Sequence, residues 1–378
     1  MTIGRRLRIA VLWPGPSGYL SSCLSALQDL ADVLLAAPAP WPQAPFDEKA
    51  LAPLENWYRG NREGKMDDAV LPVLESFRPD AILVSSWNIA AYRRAVRAFR
   101  GRALRVLCMD NCWRNHPKQW LGRVVFRPWL APLYECVFVP GERQARFARM
   151  LGVTDRQIIR GLYTADCAAF ERRARPPADV AEARRFLFAA RLVDSKGTDV
   201  LGEAYRRYRQ GTADPWPLTV AGTGPGEHHL RHLEGVELEG FCQPSRLADL
   251  MHRSTCLVLP SRWEPWGVVV HEAACAGLAL ICTTAVGAAD AFLQHGFNGR
   301  LVPSDDPDEL AAALREISNL TPAELTRYSA GSRSLAGQLS PDQWAHQLVR
   351  EIERRWALVV AQPPRAPRTV PTMIRQGR

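Results

Sequence analysis

The segment 256–277 constrains the fold of this chain more than any other. Cys256-Leu257-Val258-Leu259 is apolar without alternation, the mark of a strand covered on both faces in a parallel sheet. Pro260-Ser261-Arg262-Trp263-Glu264-Pro265-Trp266-Gly267 then breaks any periodicity. The residues that follow, Val268-Val269-Val270-His271-Glu272-Ala273-Ala274-Cys275-Ala276-Gly277, are small or apolar and suit a helix packed closely on that sheet. Strand, turn and helix in this order predict an α/β fold that binds its ligand beyond the carboxyl ends of the strands. Backbone N–H groups at Gly267 and Val268 open the helix, where its dipole favours an anionic phosphate. Glu264 and Glu272 flank the turn; on a continuous helix they would be ~12 Å apart. They therefore address different ends of an extended ligand rather than one metal ion.

Further segments repeat the pattern. Phe186-Leu187-Phe188-Ala189-Ala190-Arg191-Leu192-Val193-Asp194-Ser195-Lys196-Gly197 is a strand, a turn and a helix start carrying two cations. Leu218-Thr219-Val220-Ala221-Gly222-Thr223-Gly224-Pro225 and Val236-Glu237-Leu238-Glu239-Gly240-Phe241 come next. Gly296-Phe297-Asn298-Gly299-Arg300-Leu301-Val302-Pro303 and Asp306-Pro307-Asp308-Glu309-Leu310 close the series. In order and spacing these motifs resemble the nucleotide-sugar half of a retaining glycosyltransferase of the GT-B fold, family 4 type. The resemblance is dense from about Phe186 to Glu316 and only topological before Asp166.

That resemblance implies two Rossmann-like, doubly wound parallel-sheet domains facing across a cleft. It implies transfer of a sugar, with retention, from a nucleoside-diphosphate sugar to a saccharide, lipid-linked saccharide or small molecule. Arg191 and Lys196 would hold the diphosphate, a bidentate fork beside a point charge. Gly267 and Val268 would add backbone donors, Glu272 would accept from the ribose hydroxyls, and Glu264 would face the reacting sugar. With fixed cations doing the work of a metal, neither a metal nor a cofactor is expected. The turn Trp13-Pro14-Gly15-Pro16-Ser17-Gly18 follows the first strand, so Gly15 and Gly18 are expected to offer N–H groups opposite the diphosphate. It departs from the family's usual paired glycines. Related enzymes place a functional His beyond a middle strand of this domain; here Leu104–Met109 runs into Asp110, with His116 the nearest histidine, and both are candidates. The alternatives are a non-catalytic nucleotide-sugar binder or another GT-B activity such as an epimerase.

A chain of 378 residues suffices for two such domains. The expected division is residues 1–166 and 180–340, a helix at 341–360 crossing back to the first domain, and a disordered tail at 361–378. Strands are expected at Arg8–Trp13, Val33–Ala36, Ala81–Ser85, Leu104–Met109, Cys136–Pro140 and Gln157–Gly161. Asp306-Pro307-Asp308 reads as a helix cap rather than a metal motif, and His228, His229 and His232 as surface histidines. Nine cysteines without a Cys-x-x-Cys pair fit reduced thiols in a cytoplasm, and no apolar run is long enough to span a membrane.

Charge is distributed unevenly. Residues 1–165 carry 23 Lys+Arg against 14 Asp+Glu, so the whole net charge of +9 lies in this half. Arg93, Arg94, Arg97 and Arg100 recur at helical spacing, followed by Arg102 and Arg105, and predict a cationic ridge. The stretch 113–129 interleaves basic residues with Trp113, Trp120 and Trp129. Aromatic and cationic residues together suit an anionic membrane surface, so peripheral attachment to the inner face of the membrane is expected beside a plain solvated surface. No nucleic-acid module accompanies the charge, and no nucleic-acid partner is expected.

Overall fold

A computed structural model of the chain describes residues 5–15, 17–38, 47, 56–60, 66–171 and 183–360. The first domain contains strands β1 (Leu7–Leu12), β2 (Ala31–Ala36), β3 (Trp57–Tyr58), β4 (Ala81–Val84), β5 (Leu104–Cys108), β6 (Cys136–Val139) and β7 (Ile158–Arg160). Its helices are α1 (Gly18–Leu30), α2 (Val70–Phe77), α3 (Ala90–Ala98), α4 (Pro117–Val125), α5 (Glu142–Met150) and α6 (Cys167–Glu171). The second contains β8 (Phe186–Ala189), β9 (Leu218–Ala221), β10 (Val236–Gly240), β11 (Cys256–Leu259), β12 (Ala279–Thr283) and β13 (Gly299–Val302). Around it lie α7 (Thr198–Gln210), α8 (Pro244–His252), α9 (Val268–Cys275), α10 (Ala289–Phe292), α11 (Pro307–Ser318), α12 (Pro322–Ala336) and α13 (Pro341–Val360).

Strand order is β3-β2-β1-β4-β5-β6-β7 in the first sheet and β10-β9-β8-β11-β12-β13 in the second, and every pairing is parallel. Both sheets reverse direction of winding next to their first strand, between β1 and β4 and between β8 and β11. That is the switch point where the loops at the strand ends diverge and leave a crevice. Alternation along β1 sends Ile9 and Val11 to one apolar cluster and Ala10 and Leu12 to another, so both faces of the sheet are covered. The first of these clusters runs on through Tyr163, Cys167 and Phe170 into the core of the second domain.

Helix α13 lies against the first sheet. Trp344 donates from Nε1 to Leu162 O at 3.1 Å and stacks on Phe138, while Gln347 donates to Arg160 O at 2.9 Å. The expected tail at 361–378 falls outside the described residues, as does most of the linker beyond Glu171. Two expectations need correction. Arg105 is no part of a surface ridge: it sits in β5, 3% exposed, paired with Glu135. Nor is Trp113 free, since it packs partly buried between Trp120 and Phe147. Among the described residues no helix is long and apolar enough to cross a membrane.

Candidate functional site

The two loops at the second switch point fold onto each other. After β8 the chain makes one tight turn, Asp194–Lys196, and Gly197 takes a left-handed conformation at φ 64°. A Cβ there would stand 2.3 Å from Pro260 O, so only glycine lets the β8 and β11 loops touch. This contact brings Lys196 Nζ onto the carboxylate of Glu264 in a largely buried ion pair, 12% and 14% exposed. Further along, Gly267 caps α9 at φ 94°; Val270 N donates back to Gly267 O at 3.0 Å, and the N–H groups of Val268 and Val269 are left without intrahelical partners. The Glu264 loop is held by backbone bonds, Glu264 N to Ala285 O at 3.4 Å and Gly287 N to Glu264 O at 3.0 Å.

A cavity of about 330 Å³ opens beside this turn, lined by Arg191, Thr223, Phe241, Val269, Glu272 and, from the first domain, Gly18 and Tyr19. Arg191 is exposed into it, and no carboxylate among the described residues pairs with its guanidinium. Burial pushes the Glu272 carboxyl up to about 7, with the negative charges of Asp166 and Cys167 adding to the effect. No hydrogen bond among the described residues offsets that cost, so Glu272 is a carboxyl held ready for an external donor. Gly18 opens α1 and a Cβ on it would lie 2.9 Å from Pro244 Cγ, so the two domains meet at the cavity's edge.

On the other side of Glu264 lies a second cavity of about 690 Å³, lined by Trp263, Glu264 and Asp290 together with Cys112, Trp113, Arg143 and Arg146 of the first domain. Interdomain contacts close its floor: Arg143 pairs with Asp290 and donates to Thr284 O at 2.7 Å, and Gln144 donates to Pro265 O. Asp110 stands across the cleft. Burial raises its carboxyl above the ordinary range, Tyr163 Oη donates to it at 3.3 Å, and the charge of Glu264 raises it further. His116 is elsewhere in role: exposed, it caps α4 by accepting from Lys118 N at 3.2 Å.

The structure therefore brings together Arg191, Lys196, Glu264, Gly267, Val268 and Glu272, with Gly18 and Asp110 facing them from the first domain. Gly15 sits in the same β1–α1 turn as Gly18 without lining the cavity. Tyr19 and Tyr163 were not anticipated. Their rings meet edge to face at 5.3 Å and link the first cavity to Asp110; an aromatic opening α1 was the available signal. Asp306 accepts from Asp308 N and Glu309 N at 3.1 and 3.0 Å, so the Asp-x-Asp stretch is spent on a helix cap.

Known proteins resemble this chain in sequence and in overall fold. The family described as Glycosyl transferases group 1 matches residues 183–319. The second domain is therefore similar to a group 1 glycosyl transferase domain over these residues. A glycogen synthase of Mycobacterium tuberculosis is 32% identical over 154 residues, 39% of this chain and 36% of its own length. A D-inositol 3-phosphate glycosyltransferase of Geodermatophilus obscurus is 32% identical over 219 residues, 56% of this chain and 43% of its own. The matched region thus spans less than half of either relative. Among solved structures, a glycosyltransferase from Rickettsia africae superposes with a TM-score of 0.72 at 12% identity, covering 93% of this chain and 98% of that one. Anabaena HepE in complex with UDP and glucose gives 0.68 at 16% identity, covering 92% and 100%. The fold of the whole chain is GT-B, and the region similar to group 1 glycosyl transferases lies in its second half.

Proposed function

We propose that this chain is a glycosyltransferase of hexosyl type that moves a sugar, with retention and without a metal, from a nucleoside-diphosphate sugar to an acceptor. The observation that carries the reading is that Arg191 and Glu272, which has no hydrogen-bond partner among the described residues, line one switch-point cavity, with the N-terminus of α9 and the Lys196–Glu264 pair on the adjoining loops. Arg191 and the amides of Gly267 and Val268 take the diphosphate, and Glu272 takes the ribose hydroxyls. Lys196 starts paired with Glu264, so it turns to the leaving phosphate as negative charge grows there, freeing Glu264 for the sugar hydroxyls or the developing positive ring. Asp110, with its raised carboxyl, faces the same point from the first domain and exchanges a hydrogen bond or proton with the acceptor. His116 is the weaker candidate, because its ring is engaged in capping. The test is release of nucleoside diphosphate from a panel of nucleotide sugars: a binder gives none, and an epimerase returns an altered nucleotide sugar.

A second observation favours a lipid-linked acceptor. Helix α4 buries none of its residues, and Trp120, Leu121, Val124 and Trp129 are 51%, 65%, 72% and 72% exposed. Lys118 and Arg127 are exposed beside them, and Arg123 lies over the Trp120 ring at 5.0 Å. Apolar and aromatic tips ringed by cations suit the headgroup layer of an anionic membrane, at the inner, cytoplasmic face.

A further inference from the structure

Behind the donor cavity, Cys167, His271 and Cys275 form a buried cluster that the proposed reaction does not use. Cys167 opens α6, which leads out of the first domain toward the linker, and Cys275 ends α9. Their sulfurs lie 2.7 Å apart. His271 sits beside them, its ring stacked on Phe292 at 3.9 Å between centroids. Ala165 N donates to His271 Nδ1 at 3.0 Å, so the lone pair is on Nδ1 and the ring proton on Nε2. That Nε2–H faces Ala336 O at 3.1 Å and Cys167 Sγ at 3.5 Å. A proton, not a lone pair, therefore points at the sulfurs, and two thiolates alone fall short of the four ligands of a structural zinc site.

Access is unequal. Cys275 is fully buried, whereas Cys167 is 5% exposed. Cys167 lines a groove of about 700 Å³ whose walls include Ser21, Ser22, Asp166, Glu171 and Ser340. One sulfur can meet a small molecule from solvent, and the other waits directly behind it.

We propose that Cys167 and Cys275 are a dithiol that a hydroperoxide converts into an intramolecular disulfide, a covalent modification site joining the interdomain crossing to the donor helix. The Cys167 thiolate attacks the peroxide, the O–O bond breaks, and Cys167 becomes a sulfenic acid as an alcohol or water departs. Cys275 sulfur then attacks the sulfenic sulfur; the S–S bond forms, the S–OH bond breaks, and hydroxide leaves with the Cys275 proton as water. Two thiols lose two electrons, and the hydroperoxide is reduced by two. The Cys275 thiol and the His271 Nε2–H both favour the Cys167 thiolate, holding that group down to about 6, while burial pushes Cys275 up. The accessible sulfur is thus the nucleophile and the hidden one resolves.

The test uses the full chain, reduced and then treated with one equivalent of hydrogen peroxide, denatured, alkylated with N-ethylmaleimide and weighed. The expected product carries two fewer adducts than the nine cysteines of the reduced chain allow, and peptide mapping joins Cys167 to Cys275. Dithiothreitol reverses it, and the oxidised protein melts roughly 5 °C higher because the bond closes a long loop. In Cys275→Ser, Cys167 is trapped as a dimedone adduct. Nine adducts after oxidation, or a link made by other cysteines, overturns the proposal. So does one equivalent of zinc released on denaturing wild type but not Cys167→Ser, which assigns the cluster to a metal.

Discussion

Nucleotide affinity should rise with pH through neutrality, and Glu272 should be the reason. Burial and the charges of Asp166 and Cys167 hold its carboxyl up at about 7, so the free protein keeps it mostly protonated below that pH. The ionised form offers both oxygens as charged acceptors to the two ribose hydroxyls, whereas protonation turns one oxygen into a donor, and apparent affinity scales with the fraction of competent protein. That fraction is about one-eleventh at pH 6 and about ten-elevenths at pH 8 for a group titrating at 7. The dissociation constant should therefore fall about tenfold between these pH values, or ~1.4 kcal/mol. Isothermal titration with whichever of UDP, GDP and ADP binds most tightly measures it. The terminal phosphate titrates in the same range, so the comparison is with Glu272→Gln, which keeps the shape and loses the titration. The variant should bind about 10–100-fold more weakly at pH 8, from loss of hydrogen bonds to a charged acceptor, and show only the shallow slope of the phosphate. Equal slopes for wild type and variant would refute the role of Glu272.

Arg191→Ala and Lys196→Ala should each weaken nucleoside-diphosphate binding by about 10–100-fold, since each removes a charge-assisted phosphate contact; unchanged calorimetric affinity in a folded Arg191→Ala protein would remove the assignment. Turnover should survive EDTA, and a loss restored only by a divalent ion would show that the protein's cations are insufficient. Asp110→Asn should lower kcat with little change in donor affinity, whereas His116→Ala should cost only about 1 kcal/mol of stability through its lost cap, read by denaturant melts. Changing Trp120, Leu121, Val124 and Trp129 to Ser should abolish co-sedimentation with anionic vesicles at low salt, and wild type itself should release as salt screens the cations; wild type that ignores such vesicles makes the acceptor a soluble one.

The second domain was legible because its apolar strands stand between turns rich in glycine and charge: the apolar run opening the motif Leu218-Thr219-Val220-Ala221-Gly222-Thr223-Gly224-Pro225 is β9, Leu218–Ala221. The two-residue strand Trp57–Tyr58 was missed, since so short an edge strand has no periodicity to read. Pairings were harder than positions. Both Lys196 and Glu264 were singled out, yet the ion pair joining them across 68 residues depends on Gly197 letting two loops touch. Arg105 looked like surface charge by its company, and its partner Glu135 lies on the next crossover. The link from Tyr19 through Tyr163 to Asp110 joins the start of α1 to two loops far away in sequence, and the aromatic opening α1 is its one local sign.

Sugar transfer at the β8 and β11 loops would be read in the sugar released from a nucleotide-sugar donor. Wild type and Lys196→Ala are each incubated with nucleotide sugars, with water as the default acceptor, and the anomeric proton is followed by NMR from the first minutes. Wild type should release nucleoside diphosphate and form first the anomer of the donor's own configuration, and Lys196→Ala should lose most of both. A first-formed anomer of opposite configuration, or equal release by the variant, would contradict transfer with retention at these loops.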